Sequence, residues 1–221
     1  MEYRKGQVLR KTGNYRELYF YRKSDALYQL TVAFCKRFLP PYGDRTVDQM
    51  VQAARSGKQN IVEGSEAGMT STESELKLLN VARASLQELR EDYADYLRSH
   101  HLAVWDSSHP RAASLRQFCR GRNDYADFEA MAARLNDEEL ANLCLTLCHQ
   151  TDKLMVTYLE KLEKGFVTEG GIKERMHAAR TGYRQGQASR MKALEQENSR
   201  LKEELRLLQA RLAERAQRES D

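Results

Sequence analysis

The chain has 221 residues and a mass of 25.6 kDa, enough for one good hydrophobic core plus an appendage. It is 31% charged, has a mean hydropathy of −0.74 and carries only 3 prolines, a composition that favours long helices. No run of about 18 apolar residues offers a membrane span, and the first six residues lack the apolar stretch of a secretory signal, so a cytoplasmic location is expected.

The net charge of +4 is unevenly spread. Residues 1–60 hold 12 Lys and Arg against 5 Asp and Glu, whereas residues 61–170 hold 12 against 19. Residues 171–192 then carry Lys173, Arg175, Arg180, Arg184, Arg190 and Lys192 against Glu174 alone. The two basic regions are candidates for binding phosphates. The plain alternative is a pair of solvated faces.

In chain order, residues 1–22 form a basic, aromatic arm in which Tyr3, Tyr15, Tyr19, Phe20 and Tyr21 alternate with cations. The Tyr15–Tyr21 run reads as a short strand or irregular segment. Such aromatics stack on bases or cover the end of a helical core, and covering is favoured because no nucleic-acid-binding signature accompanies them. A first helix is expected from Ser24 as N-cap, with Leu27, Leu30, Thr31, Phe34 and Phe38 on one face and Pro40-Pro41-Tyr42-Gly43 ending it. Thr46 and Gln49 read as a capping box for a second helix, with Val47, Met50, Val51, Ala54, Gly57 and Ile61 as its stripe. Gly57 admits a close neighbour, and Gly64 and Gly68 break the pattern. Thr72 and Glu75 read as a capping box for a third helix bearing Leu76, Leu79, Leu86, Leu89, Tyr93, Tyr96 and Leu97. Between 105 and 135 the pattern shortens into two small helices, one closed by Gly121. Asn136 and Glu139 cap a fourth long helix whose stripe runs from Leu140 to Leu162, and 165–171 reads as a flexible exit.

The last stretch has a different rhythm. Met191, Leu194, Asn198, Leu201, Leu205, Leu208 and Leu212 alternate at spacings of three and four, placing Met191, Asn198, Leu205 and Leu212 at heptad position a and the other leucines at d. Glu197 at g and Lys202 at the following e suit pairing between parallel strands, and an Asn at a sets register. These seven residues are the expected oligomerisation surface. The alternative is a helix that folds back on its own core.

No catalytic constellation emerges. The chain lacks a phosphate-binding glycine loop, an HExxH and a CxxC pair. Cys144 and Cys148 read as two core residues on one face, and Cys35 and Cys119 also sit in helical surroundings, all expected reduced. Glu174-Arg175-Met176-His177 is a lone ExxH outside the main helices, whereas a di-iron bundle needs two plus further glutamates. Neither a cofactor nor a metal is expected, and an enzyme is not.

Asn60-Ile61-Val62-Glu63-Gly64, with the downstream Val81-Ala82-Arg83-Ala84-Ser85-Leu86-Gln87-Glu88-Leu89, resembles a family of small bacterial four-helix-bundle proteins. It includes proteins encoded in 23S ribosomal RNA intervening sequences and accessory variability proteins of diversity-generating retroelements. The extension from Gly170-Gly171-Ile172-Lys173 looks like the subgroup with a four helix bundle suffix domain. The resemblance spans about residues 20–165 and implies an all-α bundle, with a ring-like homopentamer and binding of nucleic acid and a reverse transcriptase in the retroelement members. The 105–135 insertion and the zipper depart from that pattern, and a pentameric ring does not match a dimeric zipper in symmetry. Within the motif, Asn60 and Glu63 are expected to bond backbone near a helix end, Gly64 to occupy the left-handed C′ position, and Ala84 and Ser85 to let helices pack closely.

The expected fold is therefore all-α: an antiparallel up-down four-helix bundle over 23–165 with a helical insertion, a basic linker over 166–190 and a coiled coil over 191–217. The expected function is that of a non-catalytic homo-oligomer binding RNA or DNA, as accessory to a nucleic-acid-processing protein. Phosphate contacts are assigned to Lys36, Arg37, Arg45, Arg55 and Lys58, then Lys173, Arg175, Arg180 and Arg184. The alternative is a scaffold joining protein partners through the bundle and coiled coil.

Overall fold

The computed structural model describes residues 14–40 and 45–218. Among these the chain is all-helical, with seven α-helices and no strand: α1 (Tyr19–Phe38), α2 (Thr46–Ala67), α3 (Thr72–Ser99), α4 (Ala112–Arg120), α5 (Glu129–Ala132), α6 (Asp137–Glu169) and α7 (Ile172–Arg218). The described residues divide into two compact units, one running through Ile172 and the other beginning at Lys173.

In the first unit α1 packs against α2 and α6, and α3 packs against the same two helices. The pairings between α2 and α3 run in opposite senses along the chain. Ser85 Oγ donates to Ser56 Oγ at 3.1 Å, Leu86 lies against Gly57, and Leu79 against Gly64. The core that these helices share includes Leu27, Leu30, Phe34, Met50, Ile61, Leu86, Leu89, Leu97, Leu140 and Leu147, so the stripes read from periodicity face inward as expected. Within it, Tyr93 donates to Thr31 Oγ1 at 3.0 Å, and Thr31 donates in turn to the Leu27 carbonyl at 2.7 Å. A fully buried phenol thus finds a partner without water.

The helix starts differ from the sequence reading in three places. α1 begins at Tyr19 rather than after Ser24, because the apolar stripe continues upstream through buried Phe20. Ser24 lies inside the helix, fully buried, with its hydroxyl donating to the Tyr21 carbonyl at 2.7 Å. The Tyr15–Tyr21 run is accordingly a 3-10 turn followed by helix, not a strand or irregular segment. Residues 1–13 of the expected arm and Pro41-Tyr42-Gly43 lie outside the described residues. Arg45, not Thr46, is the N-cap residue of α2 and makes no side-chain cap. Ser71 rather than Thr72 caps α3, accepting from the Ser74 amide at 3.1 Å. Glu75 then falls one place beyond the position a capping box requires and sits buried, accepting the Tyr158 hydroxyl at 2.8 Å. The Asn136–Glu139 box forms as read, with both reciprocal bonds present.

The Asn60–Gly64 stretch is also placed differently. α2 continues to Ala67, so Asn60, Glu63 and Gly64 are within the helix and not at its end. The Asn60 amide donates to the Ser56 carbonyl one turn back at 2.9 Å, and Glu63 is exposed. Gly64 has no left-handed backbone; it is buried, and a Cβ there would lie 3.3 Å from Leu78 Cβ. Of the two small residues on α3, Ser85 is buried against α2 and Ala84 is exposed.

Helix α3 ends in a Schellman motif: the Leu102 amide reaches the Leu97 carbonyl at 2.8 Å and the His101 amide reaches Arg98 at 3.2 Å. The C′ residue is His101, at φ 56°, in place of the usual glycine. The chain then crosses α6 through the insertion, which is tied down at several points. Asn142 accepts the Trp105 amide at 2.7 Å and donates to the Ala103 carbonyl at 2.8 Å, and the Trp105 indole donates to Glu138 at 2.9 Å.

The exit from the first unit is shorter than 165–171. Helix α6 runs to Glu169, and only Gly170, at φ 72°, and Gly171 separate it from α7. In the second unit α7 is a single helix of 47 residues, continuous through both the basic stretch and the heptads.

Candidate nucleic-acid interface

Of the five basic positions assigned to the first region, two are engaged within the fold. Arg37 spends its guanidinium on the Ala132 and Leu135 carbonyls, both at 2.6 Å, where it closes the end of α5 and the turn that follows. Lys58 pairs with Asp25 at 3.2 Å and lies over the Tyr28 ring, 4.4 Å from its centre. These two cations hold the fold together and have little left for phosphate. Lys36, Arg45 and Arg55 are exposed. Arg45, however, borders a surface groove between α2 and α3 whose other charged lining is Asp48, Glu88 and Asp92. Burial, with Asp95 and Glu88 nearby, raises the Asp92 carboxyl above its usual range. An acidic groove repels phosphate. Of these five positions, Lys36 and Arg55 are exposed and neither line this groove nor share the internal contacts of Arg37 and Lys58.

Two cations that the sequence reading did not single out, Arg22 and Lys23, bind the insertion to α1. Arg22 makes a two-pronged contact with Asp124, its Nε donating at 2.7 Å. Lys23 is only 2% exposed, and its ammonium donates to the Cys119 and Arg122 carbonyls at 2.7 and 2.5 Å. Burial lowers its pKa. The signal was available: Lys23 lies three residues after Phe20 and four before Leu27, on the core stripe.

On α7 the basic positions are differently placed: Lys173, Arg180 and Arg184 stand exposed, and Arg175 is half-buried. Downstream, Met191, Leu194, Leu201, Leu205, Leu208 and Leu212 are between 50 and 66% exposed, and Asn198 is exposed with them. The expected seam is therefore uncovered along its length within the second unit.

The remaining candidate chemistry is scattered. The four thiols are free and buried; burial pushes Cys35 and Cys119 up to about 11, Cys144 up to about 12, and Cys148 well above the ordinary range. Such thiols are inert packing groups. His100 stacks on Tyr96 and His109 on Trp105, at 4.1 and 4.7 Å between ring centres. His149 is shifted down by burial and by Arg90. Among the described residues no three His, Cys, Asp or Glu converge as a metal site, and no helix is long and apolar enough to cross a membrane.

No family model matches the chain, and no curated protein or solved structure matches it.

Proposed function

We propose that this protein is a non-catalytic homo-oligomer that binds RNA or DNA through α7, as an accessory factor to a nucleic-acid-processing protein. The observation that carries the proposal is α7 itself: one continuous helix with a cationic, exposed first half and an exposed heptad seam in its second half. Cations on a rod address a linear polyanion, and the seam supplies the means of oligomerisation. We read α1, α2, α3 and α6 as an antiparallel up-down four-helix bundle joined to this rod through Gly170-Gly171, which agrees with the opposed pairings along α2 and α3. The resemblance to the bacterial bundle family fits the same role and rests on the Asn60–Gly64 and Val81–Leu89 stretches.

The test is a titration of labelled RNA and DNA at two salt concentrations, with the mass of the protein measured alongside. Micromolar or tighter binding that weakens steeply with salt supports the proposal; no binding at low salt refutes it. A scaffold that joins protein partners is the second reading, favoured by the loss of Arg37 and Lys58 to internal contacts and by an exposed seam able to accept any matching helix.

A further inference from the structure

The heptad of α7 does not stop at Met191. Counted backwards at the same spacing of three and four, it places Gln187, Arg180 and Lys173 at d and Arg184 and His177 at a. All five are exposed, on the helical stripe that continues the leucine seam. The stripe is therefore apolar over 191–212 and cationic over 173–184.

Resting on the oligomeric, nucleic-acid-binding reading above, we propose that two copies of this chain pair in parallel through 191–212. Their helices then part over 173–187 into a cleft where Lys173, Arg180 and Arg184 of both copies face the phosphates of a nucleic-acid duplex. The second copy is required: one helix supplies three cations on this stripe and the pair supplies twice that number.

Three observations fix the occupant and its direction. In a parallel pair Asn198 meets its own counterpart and can bond to it, whereas an antiparallel pair sets it among d-position leucines, buried and unpaired. The flanking charges agree: Arg190 at g meets Glu195 at the following e, and Glu197 at g meets Lys202, with no like pair among them. Further up, three of the five stripe residues, Lys173, Arg180 and Arg184, carry like charge on long hydrated heads and none of the five is apolar, so knobs-into-holes packing fails and the helices separate. Gly182 and Gly186, where a Cβ would meet nothing within 4 Å, add local pliancy where the helices diverge.

Size and composition point to a duplex. The twelve residues of helix from Lys173 to Arg184 extend about 17 Å between their ends, a length over which duplex DNA presents about ten phosphate charges. A membrane surface fits poorly, because an interfacial helix needs an apolar face. Between 172 and 190 the large apolar residues that stand exposed are Met176 and Tyr183.

The experiment measures binding of full-length protein to short DNA and RNA duplexes over a range of salt, with sedimentation equilibrium on the same samples. The Arg180→Ala/Arg184→Ala variant removes two cations from each copy and is expected to flatten the logarithmic salt slope by about 3 to 4. The Leu201→Ser/Leu208→Ser variant, which abolishes pairing without adding charge or touching the basic stretch, is expected to weaken binding by about tenfold or more and to halve the slope. All four positions are exposed, so the first unit should melt unchanged in both variants. A monomeric wild type, a zipper variant that binds as tightly as wild type, or an unaltered slope in the arginine variant overturns the cleft. If wild type binds duplex steeply and the zipper variant is indifferent, nucleic-acid binding stands and the two-copy cleft falls. If wild type binds single-stranded RNA or DNA but no duplex at low salt, nucleic-acid binding stands and the duplex cleft falls; if it binds neither single strands nor duplexes at low salt, the underlying function fails as well.

Discussion

Gly57 offers the sharpest test of how α2 and α3 are held together. A Cβ built there would lie 2.7 Å from Leu86 Cδ2 and 2.8 Å from its Cγ. Leu86 is itself in the core, and Cγ is its branch point, so relief requires a shift of the whole side chain or of the helix. Overpacking of this kind costs about 1 to 3 kcal/mol. Against it stands the helix propensity of Ala over Gly, a gain of about 1 kcal/mol. Gly57→Ala is therefore expected to destabilise the protein by up to about 2 kcal/mol. Gly165 in α6 is the internal control, because nothing lies within 4 Å of a Cβ there. The same substitution at Gly165 is expected to stabilise by up to about 1 kcal/mol. Equilibrium denaturation followed by circular dichroism measures both. The cycle closes with Leu86→Ala, which alone costs about 2 to 5 kcal/mol. In that background Gly57→Ala should become neutral or stabilising, a coupling of about 1 to 3 kcal/mol. Stabilisation of Gly57→Ala equal to that of Gly165→Ala would refute the close approach.

Further expectations concern the insertion, the thiols and the seam. Asn142→Ala leaves the Trp105 amide and the Ala103 carbonyl without their side-chain partner. A loss of about 1 to 2 kcal/mol follows, with a red shift of the single tryptophan's fluorescence; an unchanged spectrum would count against the tether. The four thiols titrate higher in the folded chain, where Cys35 and Cys119 lie at about 11, than in the unfolded chain at about 8.5. The unfolded state thus releases protons first, and stability should fall as pH rises above about 8.5. Native protein at pH 8 should also resist thiol reagents that label all four cysteines after unfolding, and rapid native labelling would show the burial to be wrong. Asn198→Leu should raise thermal stability of the oligomer while mixing its oligomeric states by sedimentation; a single unchanged state would remove Asn198 from the seam.

Periodicity by itself determined the long helices α1, α2, α3 and α6 and which of their stripes face the core, because burial repeats every three to four residues whatever the neighbouring element is. It also located the Asn136–Glu139 box, whose partners are three residues apart and need nothing distant. Helix starts were less legible. Ser24, Thr46 and Thr72 have the chemistry of caps, yet a cap is decided by whether the upstream residues have somewhere better to go. Phe20 is drawn into the core, and Ser71 is left free to turn. The same holds for Gly64: whether a glycine ends a helix or admits a neighbour depends on Leu78 and Leu79, which come from the next helix. On α7 the run of cations and the heptad spacing were readable from the sequence, because both are local patterns along a single helix. Only the tertiary structure decided the fate of the cations on α1. Lys23 and Arg37 find carbonyls almost a hundred residues away, and a charge has no periodicity that foretells a partner at that distance.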